Sequence, residues 1–393
     1  MKGVLEEVHE WLSDGNKVAL ARVVEVVGSG VRPAGAAIAV TGGAVIGSAS
    51  GGCVEGALVE EARAALADDG RPRLRTFGCS DDEAFDVGLT CGGVVRVLIE
   101  SFEPGEKMTW LEQLLSMVGS GRGAALVEVI EGPEGLLGWK GVVPAEATAP
   151  SPPGPSVAEV IDLPAPGGEV PAQLVQDALL DLAAERSAAH PYLLSHEGEE
   201  VDVTVFVDTF PAPPEMVIVG AASFTAALSA QAKLLGYRVL VCDARPVFAS
   251  AARFPQADEV VAEWPDRYLD KVGAHLGPRD AVCILTHDPK FDMPAITSVL
   301  RTKAGYIGVM GSRRTQEDRK RRLREAGVSE ADLERLHGPI GLDLGASSPE
   351  ETAVSIVGEI IAQRNGRSGG ALAASSRPIH PVATAVPFAT RHG

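Results

Sequence analysis

Cysteine is scarce and unpaired in this sequence. There are five, Cys53, Cys79, Cys91, Cys242 and Cys283, among 393 residues, and no two form a C-x-x-C pair. That pattern fits neither a disulfide framework nor a structural zinc site, so any cysteine chemistry belongs to single thiols. Positive charge is also short: 35 Lys and Arg face 53 Asp and Glu, a formal net charge of −18. This argues against nucleic acid as the main partner, because phosphate backbones need a basic stripe. No apolar run reaches the ~18 residues of a membrane-spanning helix. Glu6, Glu7 and Glu10 stand where a secretory signal would need basic residues and an apolar core. The expectation is a cytoplasmic protein without a membrane span. No internal repeat is read.

The chain is long enough for two or three domains, each with its own core. Val4, Leu5, Val8, Trp11 and Leu12 share one helical face, and Asp14-Gly15 ends that helix. A strand is expected over 18–27, then a hairpin of 37–40 and 44–46 across a primed turn at Gly42-Gly43. A helix follows from Cys53 to about residue 67, a strand over 92–100, and a helix marked by Leu111, Leu114, Leu115 and Val118. A second hairpin is read from 124–130 and 136–143. Residues 144–171, rich in Pro, Ala and Gly, read as loop or spacer.

The second half changes character. Short, nearly continuous apolar strands at 216–220, 237–243, 281–286 and 306–310 alternate with helices, the rhythm of a parallel sheet covered on both faces. Ser348-Pro349-Glu350-Glu351 supplies an N-cap, a first-turn proline and a capping-box acid for the last helix, and Asn365-Gly366 closes it. From about Arg367 the residues are small, polar and aperiodic, so 367–393 read as a disordered tail.

Gly47-Ser-Ala-Ser-Gly-Gly-Cys53-Val-Glu55 follows the first hairpin and opens onto a helix. Glycines allow close backbone approach, and free amides at a helix start attract anions and favour a thiolate. The same residues also read as a tight turn with a buried cysteine. Gly220-Ala-Ala222-Ser-Phe-Thr225 occupies the place of a G-x-G-x-x-G dinucleotide fingerprint but keeps only its first glycine. Asp243 follows at the tip of the next strand, where an acid binds an adenosine ribose. The pair reads either as an NAD(P) site or as a doubly wound domain that has lost or altered its nucleotide.

Two more clusters fall at expected strand ends, the edge where open α/β sheets bind ligands, and a third patch sits near that edge if the topology is regular. In Thr286-His287-Asp288-Pro-Lys290-Phe-Asp292, His287 is either a site residue or a turn residue bonded to backbone. In Gly311-Ser312-Arg313-Arg314-Thr315, amides and guanidiniums either bind phosphate or solvate a helix end. His337-Gly-Pro-Ile-Gly341-Leu-Asp343-Leu-Gly345 is too rich in turn residues for ordinary core.

Taken together these motifs resemble the XdhC/CoxI family of molybdenum-cofactor maturation proteins. The N-terminal likeness rests on Gly28-Ser29-Gly30-Val-Arg32-Pro33-Ala-Gly35, on Gly47 to Glu55, and on Cys91-Gly92-Gly93. The C-terminal likeness rests on Thr286 to Asp292, on Tyr306-Ile-Gly308-Val-Met-Gly311-Ser312-Arg313-Arg314-Thr315, and on His337 to Gly345. The resemblance implies an α/β chain: an α+β domain of XdhC/CoxI type over 1–205, then a Rossmann-like doubly wound parallel-sheet domain over 214–366. It implies a helper protein that binds the molybdenum cofactor (molybdopterin), supports its sulfuration and delivers it to a xanthine dehydrogenase or CO dehydrogenase-type molybdenum hydroxylase. A cysteine desulfurase and a second copy of the chain are the further partners implied.

On this likeness Cys53 and Cys91 contact molybdenum or carry sulfur, as thiolates suit soft metal centres, and Glu55 orients a pterin amine or tunes the thiol. Arg32, Ser48, Gly51, Gly52, Gly220, Asp243, Thr286, His287, Asp288, Gly311, Ser312, Arg313, Arg314, His337 and Asp343 are the candidate cofactor-binding residues. The family's usual G-x-G-H is replaced by Gly220-Ala-Ala222-Ser223, which weighs against a nucleotide. The competing reading is an NAD(P)-dependent oxidoreductase using Asp243 and His287. Cys79, Cys242 and Cys283 read as structural.

Overall fold

The computed structural model describes residues 2–27, 32–49, 51–52, 54–68, 70–78, 94–147, 161–162, 171–196 and 199–377. Expectations for Cys53, Cys79, Cys91, most of 144–171 and the last part of the tail lie outside these residues. The chain divides into two compact units, one running through Ala212 and the other spanning Pro213–Arg377.

The first unit holds two five-stranded sheets. In chain order the strands of the first are β1 (Val18–Val27), β2 (Ala37–Val40), β3 (Val45–Ser48), β4 (Arg73–Gly78) and β5 (Val94–Phe102). Those of the second are β6 (Ala124–Glu131), β7 (Lys140–Pro144), β8 (Ile161–Asp162), β9 (Ala188–His196) and β10 (Glu199–Phe210). The spatial orders are β3-β2-β1-β5-β4 and β7-β6-β10-β9-β8. Helices Lys2–Ser13 and Thr109–Gly119 contribute to one shared core with Leu20, Phe102, Leu126 and Phe210. Helices Glu55–Ala67 and Ala172–Ala183 each pack against one sheet alone.

This unit is an internal duplication, which corrects the expectation of no repeat. The order β2-β1-β5-β4 reappears as β7-β6-β10-β9, and the registers coincide. Val18 faces Phe102 as Ala124 faces Phe210, and Arg22 faces Leu98 as Glu128 faces Phe206. Both long pairings slip by a residue at the same place, between Val23 and Glu25 in one copy and between Val129 and Glu131 in the other. Both leading helices end at a left-handed glycine, Gly15 or Gly121, followed by matching bonds from Asn16 N–H to Trp11 O and from Arg122 N–H to Met117 O. Val24, Leu98, Ile130 and Phe206, two equivalent residues from each copy, form a core cluster of their own.

At the centre of the unit lies a buried charge cluster. Arg22 of β1 is bonded to Glu128 of β6 and lies 3.6 Å from Glu100 of β5 and 3.5 Å from Asp208 of β10. Lys140 of β7 reaches both Glu100 and Glu128, the latter at 2.7 Å. Burial pushes the Asp208 carboxyl up and the Lys140 ammonium down, partly offset by their ionic partners. Charges this deep persist only when paired.

Two local expectations are corrected. Gly42 and Gly43 are outside the left-handed region, so the first hairpin has no primed turn. Thr41 makes the turn instead, its hydroxyl accepting from Gly43 and Ala44 N–H at 3.3 and 3.1 Å. The second hairpin pairs β6 with residues 140–144 rather than 136–143; Leu136 and Trp139 are buried in the connection. A short strand, β8, lies within the expected spacer and pairs with β9.

The second unit is the expected doubly wound domain. Its strands β11 (Glu215–Val219), β12 (Arg238–Cys242), β13 (Glu259–Val261), β14 (Ala281–Ile284), β15 (Tyr306–Val309) and β16 (Leu336–His337) form one sheet ordered β13-β12-β11-β14-β15-β16. Every pairing is parallel. Apolar runs such as Val217, Val219, Val282 and Ile284 on one face, and Met216, Ile218, Ala281 and Cys283 on the other, need helices on both sides. Helices Ser223–Leu234 and Pro349–Arg364 cover one face; Pro265–Val272 and Pro289–Leu300 cover the other. The chain reverses its winding between β11 and β14, so the carboxyl ends of those strands flank the crevice where such sheets bind ligands. The last helix starts as expected, with Ser348 capping Glu351 N–H at 3.1 Å and Glu351 reaching back to Ser348 N–H.

Candidate functional site

In the first unit, the motif after β3 is a self-bonded turn. Gly47 has φ +91°, and a Cβ there would come within 2.3 Å of Ala37 O. The Ser48 hydroxyl donates to Glu55 Oε1 at 2.9 Å and accepts from Gly51 N–H at 3.3 Å. Gly52 N–H donates to Glu55 Oε2 at 2.7 Å. The amides of Gly51 and Gly52 are thus engaged inside the loop, where Glu55 bonds both Ser48 and Gly52. Both glycines have positive φ, and among the described residues nothing stands within 4 Å of where a Cβ on Gly52 would be. Arg32 is exposed. Gly35, of the same motif as Arg32, has φ +90° and packs so closely on Asp208 that a Cβ would meet Oδ1 at 2.7 Å.

In the second unit, Gly220 ends β11 at φ +109°, with the Thr286 methyl 2.8 Å from where a Cβ would stand. Asp243 follows β12, and its carboxylate is fully engaged. Arg245 donates to it from its backbone N–H, Nε and a terminal nitrogen at 2.9, 2.9 and 2.8 Å, and Ala221 N–H donates at 2.8 Å. Burial works against its charge, but these bonds win and hold the carboxyl below its usual range. The ribose-binding role read for Asp243 would require Arg245 to be displaced.

Thr286 donates to Asp292 Oδ1, and His287 beside it is exposed. Asp288 caps the next helix, accepting from Lys290 N–H at 3.1 Å and pairing with the Lys290 ammonium at 3.0 Å, which holds its carboxyl low. Gly311, at φ +143°, leads to Ser312, whose hydroxyl caps the helix Arg313–Glu325 by accepting from Thr315 N–H at 3.1 Å. Arg313 and Arg314 are exposed in the first turn of that helix, where the dipole disfavours cations and favours anions.

His337 is differently placed. Its ring stacks on Tyr306 with centroids 4.7 Å apart, and Nδ1 lies 3.3 Å from Glu359 Oε1. Glu359 also accepts from Tyr306 OH and, at 2.7 Å, from Gly341 N–H. His337 thus anchors the short edge strand β16 to the helix Pro349–Arg364. Asp343 is exposed.

Sequence reasoning missed Arg245, Glu359 and Arg319, the last a buried side chain donating to Asp292 Oδ2 at 2.6 Å. Arg245, two residues past an acid at a strand end, was findable as its partner. Glu359 carries no local signal. Arg319 is hidden in an arginine-rich helix that reads as a solvated face. Cys242 and Cys283 are fully buried free thiols; burial pushes Cys242 up to about 12 and Cys283 also upward, so both pack as small hydrophobes. Among the described residues no group of His, Cys, Asp or Glu is arranged to hold a metal ion. No described helix is long and apolar enough to cross a membrane.

A doubly wound parallel sheet carrying its motifs on the carboxyl-edge loops, preceded by a two-sheet unit, defines a Rossmann-domain protein with an additional N-terminal module. The family model for the XdhC Rossmann domain matches residues 216–360, and that for the XdhC and CoxI family matches residues 11–78. The chain belongs to the XdhC/CoxI family. It is 28% identical over 357 residues to a Bacillus subtilis protein named as a probable xanthine dehydrogenase subunit, covering 90% of this chain and 95% of that one. It is 27% identical over 99 residues to the Escherichia coli molybdenum cofactor insertion chaperone PaoD, covering 25% of this chain and 31% of that one. A crystal structure of a Bacillus halodurans protein described as a xanthine dehydrogenase shares the fold, with TM-score 0.65 and 24% identity over 95% of this chain and 98% of that one.

Proposed function

We propose that this protein is a maturation factor for a molybdenum hydroxylase of the xanthine dehydrogenase type. It binds the molybdenum cofactor, supports its sulfuration and hands it to the client enzyme in the cytoplasm, by binding and transfer rather than turnover. The observation that carries this reading is the likeness over nine-tenths of the chain to the Bacillus subtilis protein whose name ties it to xanthine dehydrogenase. The likeness to a named cofactor insertion chaperone supports it.

The described residues fit the anionic arm of such a cofactor. The left-handed Gly311, the Ser312 cap and the exposed Arg313 and Arg314 supply the amides and forks that a phosphate takes. His287 and Asp288, on the neighbouring loop of the same edge, are polar groups for the pterin. Sulfur chemistry falls to Cys53 and Cys91. When bound, the cofactor supplies the metal and its dithiolene; the chain's own part is to hold, orient and release it. The engagement of Asp243 by Arg245 and Ala221 speaks against the NAD(P)-dependent alternative.

The test is molybdenum and pterin content after expression in a cell that makes the cofactor, comparing the native chain with Cys53→Ser, Cys91→Ser and Arg313→Ala. Pterin on the native chain, reduced in the variants, is the expected result. No pterin on any form, with NAD(P)H binding that vanishes in Asp243→Ala, sinks the reading.

A further inference from the structure

Asp292 and Arg319 make a buried ion pair, their side chains 3% and 6% exposed, beneath the carboxyl edge of the second unit. Each does more than neutralise the other. Asp292 takes the Thr286 hydroxyl on Oδ1 and Arg319 on Oδ2, the latter at 2.6 Å. The other terminal nitrogen of Arg319 donates to Met310 O at 3.2 Å and to Gln316 Oε1 at 2.9 Å. Gln316 in turn donates to Val309 O at 2.8 Å. A Cβ on Gly338 would come within 2.6 Å of the Gln316 side chain, so the third motif presses on the same group.

One guanidinium therefore ties the loop after β14, which carries Thr286, His287 and Asp288, to the end of β15, from which Gly311 and Ser312 emerge. Only a planar fork with several donors makes these bonds at once; an ammonium is a point charge on a flexible stem. Stability alone does not ask for this arrangement, because a buried ion pair is commonly matched or bettered by apolar side chains of similar volume. Holding two loops in fixed register does ask for it.

We infer that Arg319 is a positioning residue: through Asp292, Met310 O and Gln316 it fixes the Thr286 loop and the Gly311-Ser312 turn as one lip that receives the anionic arm of the ligand. This rests on the function proposed above for that edge. Arg319 touches no ligand itself.

The double variant Asp292→Leu/Arg319→Met separates positioning from support. Arg319→Met alone leaves a buried carboxylate unpaired and lowers the melting temperature. The double variant regains a melting temperature close to native, because no charge is left buried. It still loses bound pterin by about tenfold or more after expression in a cofactor-making cell, and the amides of residues 285–288 and 310–315 exchange faster than native. Arg319→Lys, which keeps the charge and loses the fork, gives the same two results and stands in should the double variant not fold.

Native-like exchange in these segments, or native-like pterin content, overturns the inference. If the native chain itself holds no pterin, the proposed function fails, and the exchange measurement alone decides whether Arg319 positions the lip.

Discussion

Arg22 and Glu128 occupy the same position in two copies of one folding unit, and they are bonded to each other. Glu100 and Asp208 are a second equivalent pair, and both face Arg22. Of these four residues only Arg22 is a cation. Removing it as Arg22→Met leaves three buried carboxylates with Lys140 alone to answer them, and costs about 3–5 kcal/mol. The double change Arg22→Met/Glu128→Leu recovers most of that loss. Urea unfolding of the three proteins checks this; an Arg22→Met loss below about 1 kcal/mol denies the cluster its role.

Gly47 and Gly52 separate space from backbone strain. Both are left-handed, but Gly47 also faces a carbonyl 2.3 Å from the position of a Cβ, whereas Gly52 faces nothing within 4 Å among the described residues. Gly52→Ala is expected to cost about 1 kcal/mol, and Gly47→Ala about 3 kcal/mol or more. Equal losses in thermal melts would mean that the turn relaxes away from Ala37.

The Asp243–Arg245 pair gives a pH dependence. The Asp243 carboxyl is held below its usual range in the folded chain. Its stabilisation is therefore present above the unfolded value of about 4 and disappears as pH falls through the lower folded value. Arg245→Ala removes about 1 kcal/mol near neutrality, discounted because the guanidinium is half exposed. The native and variant curves converge once pH falls below the lowered folded value. Parallel curves over the whole range would show that Arg245 acts through packing on Phe248, 4.5 Å from its ring centroid, rather than through charge.

Cys242 and Cys283 are expected to resist thiol reagents at neutral pH until the second unit unfolds, because both are buried and their thiols are pushed up. Maleimide labelling read by mass spectrometry checks this. Modification of either in the folded chain would reveal local opening of the parallel sheet.

Much of the second unit was legible because its strands are runs of Val, Ile, Leu and Cys that only a twice-covered sheet can bury. The strands β13 and β16 were not. They are three and two residues long, and Glu259 and His337 dilute their signal. The duplication was present in sequence, with Leu20-Ala-Arg22-Val-Val-Glu25 answered by Leu126-Val-Glu128-Val-Ile-Glu131. Its centre is disguised, since an arginine in one copy stands against a glutamate in the other. The motifs were readable as clusters of glycines, hydroxyls and charges, but not which of their members face inward. Glu55, Asp243 and His337 read as ligand-binding groups, and the local sequence pattern alone does not show their bonds to Gly52, Arg245 and Glu359.

The seat of Gly35 on Asp208 sets an order of events during synthesis. The turn at Gly35 belongs to the first copy, but the carboxylate it rests on, and the Ser187 hydroxyl bonded to that carboxylate at 3.0 Å, are translated well over a hundred residues later. A nascent chain that ends before β10 has no surface on which to settle this turn. The first unit can thus complete one of its glycine motifs only when its final strand has left the ribosome, and a truncated chain should carry that motif without its support.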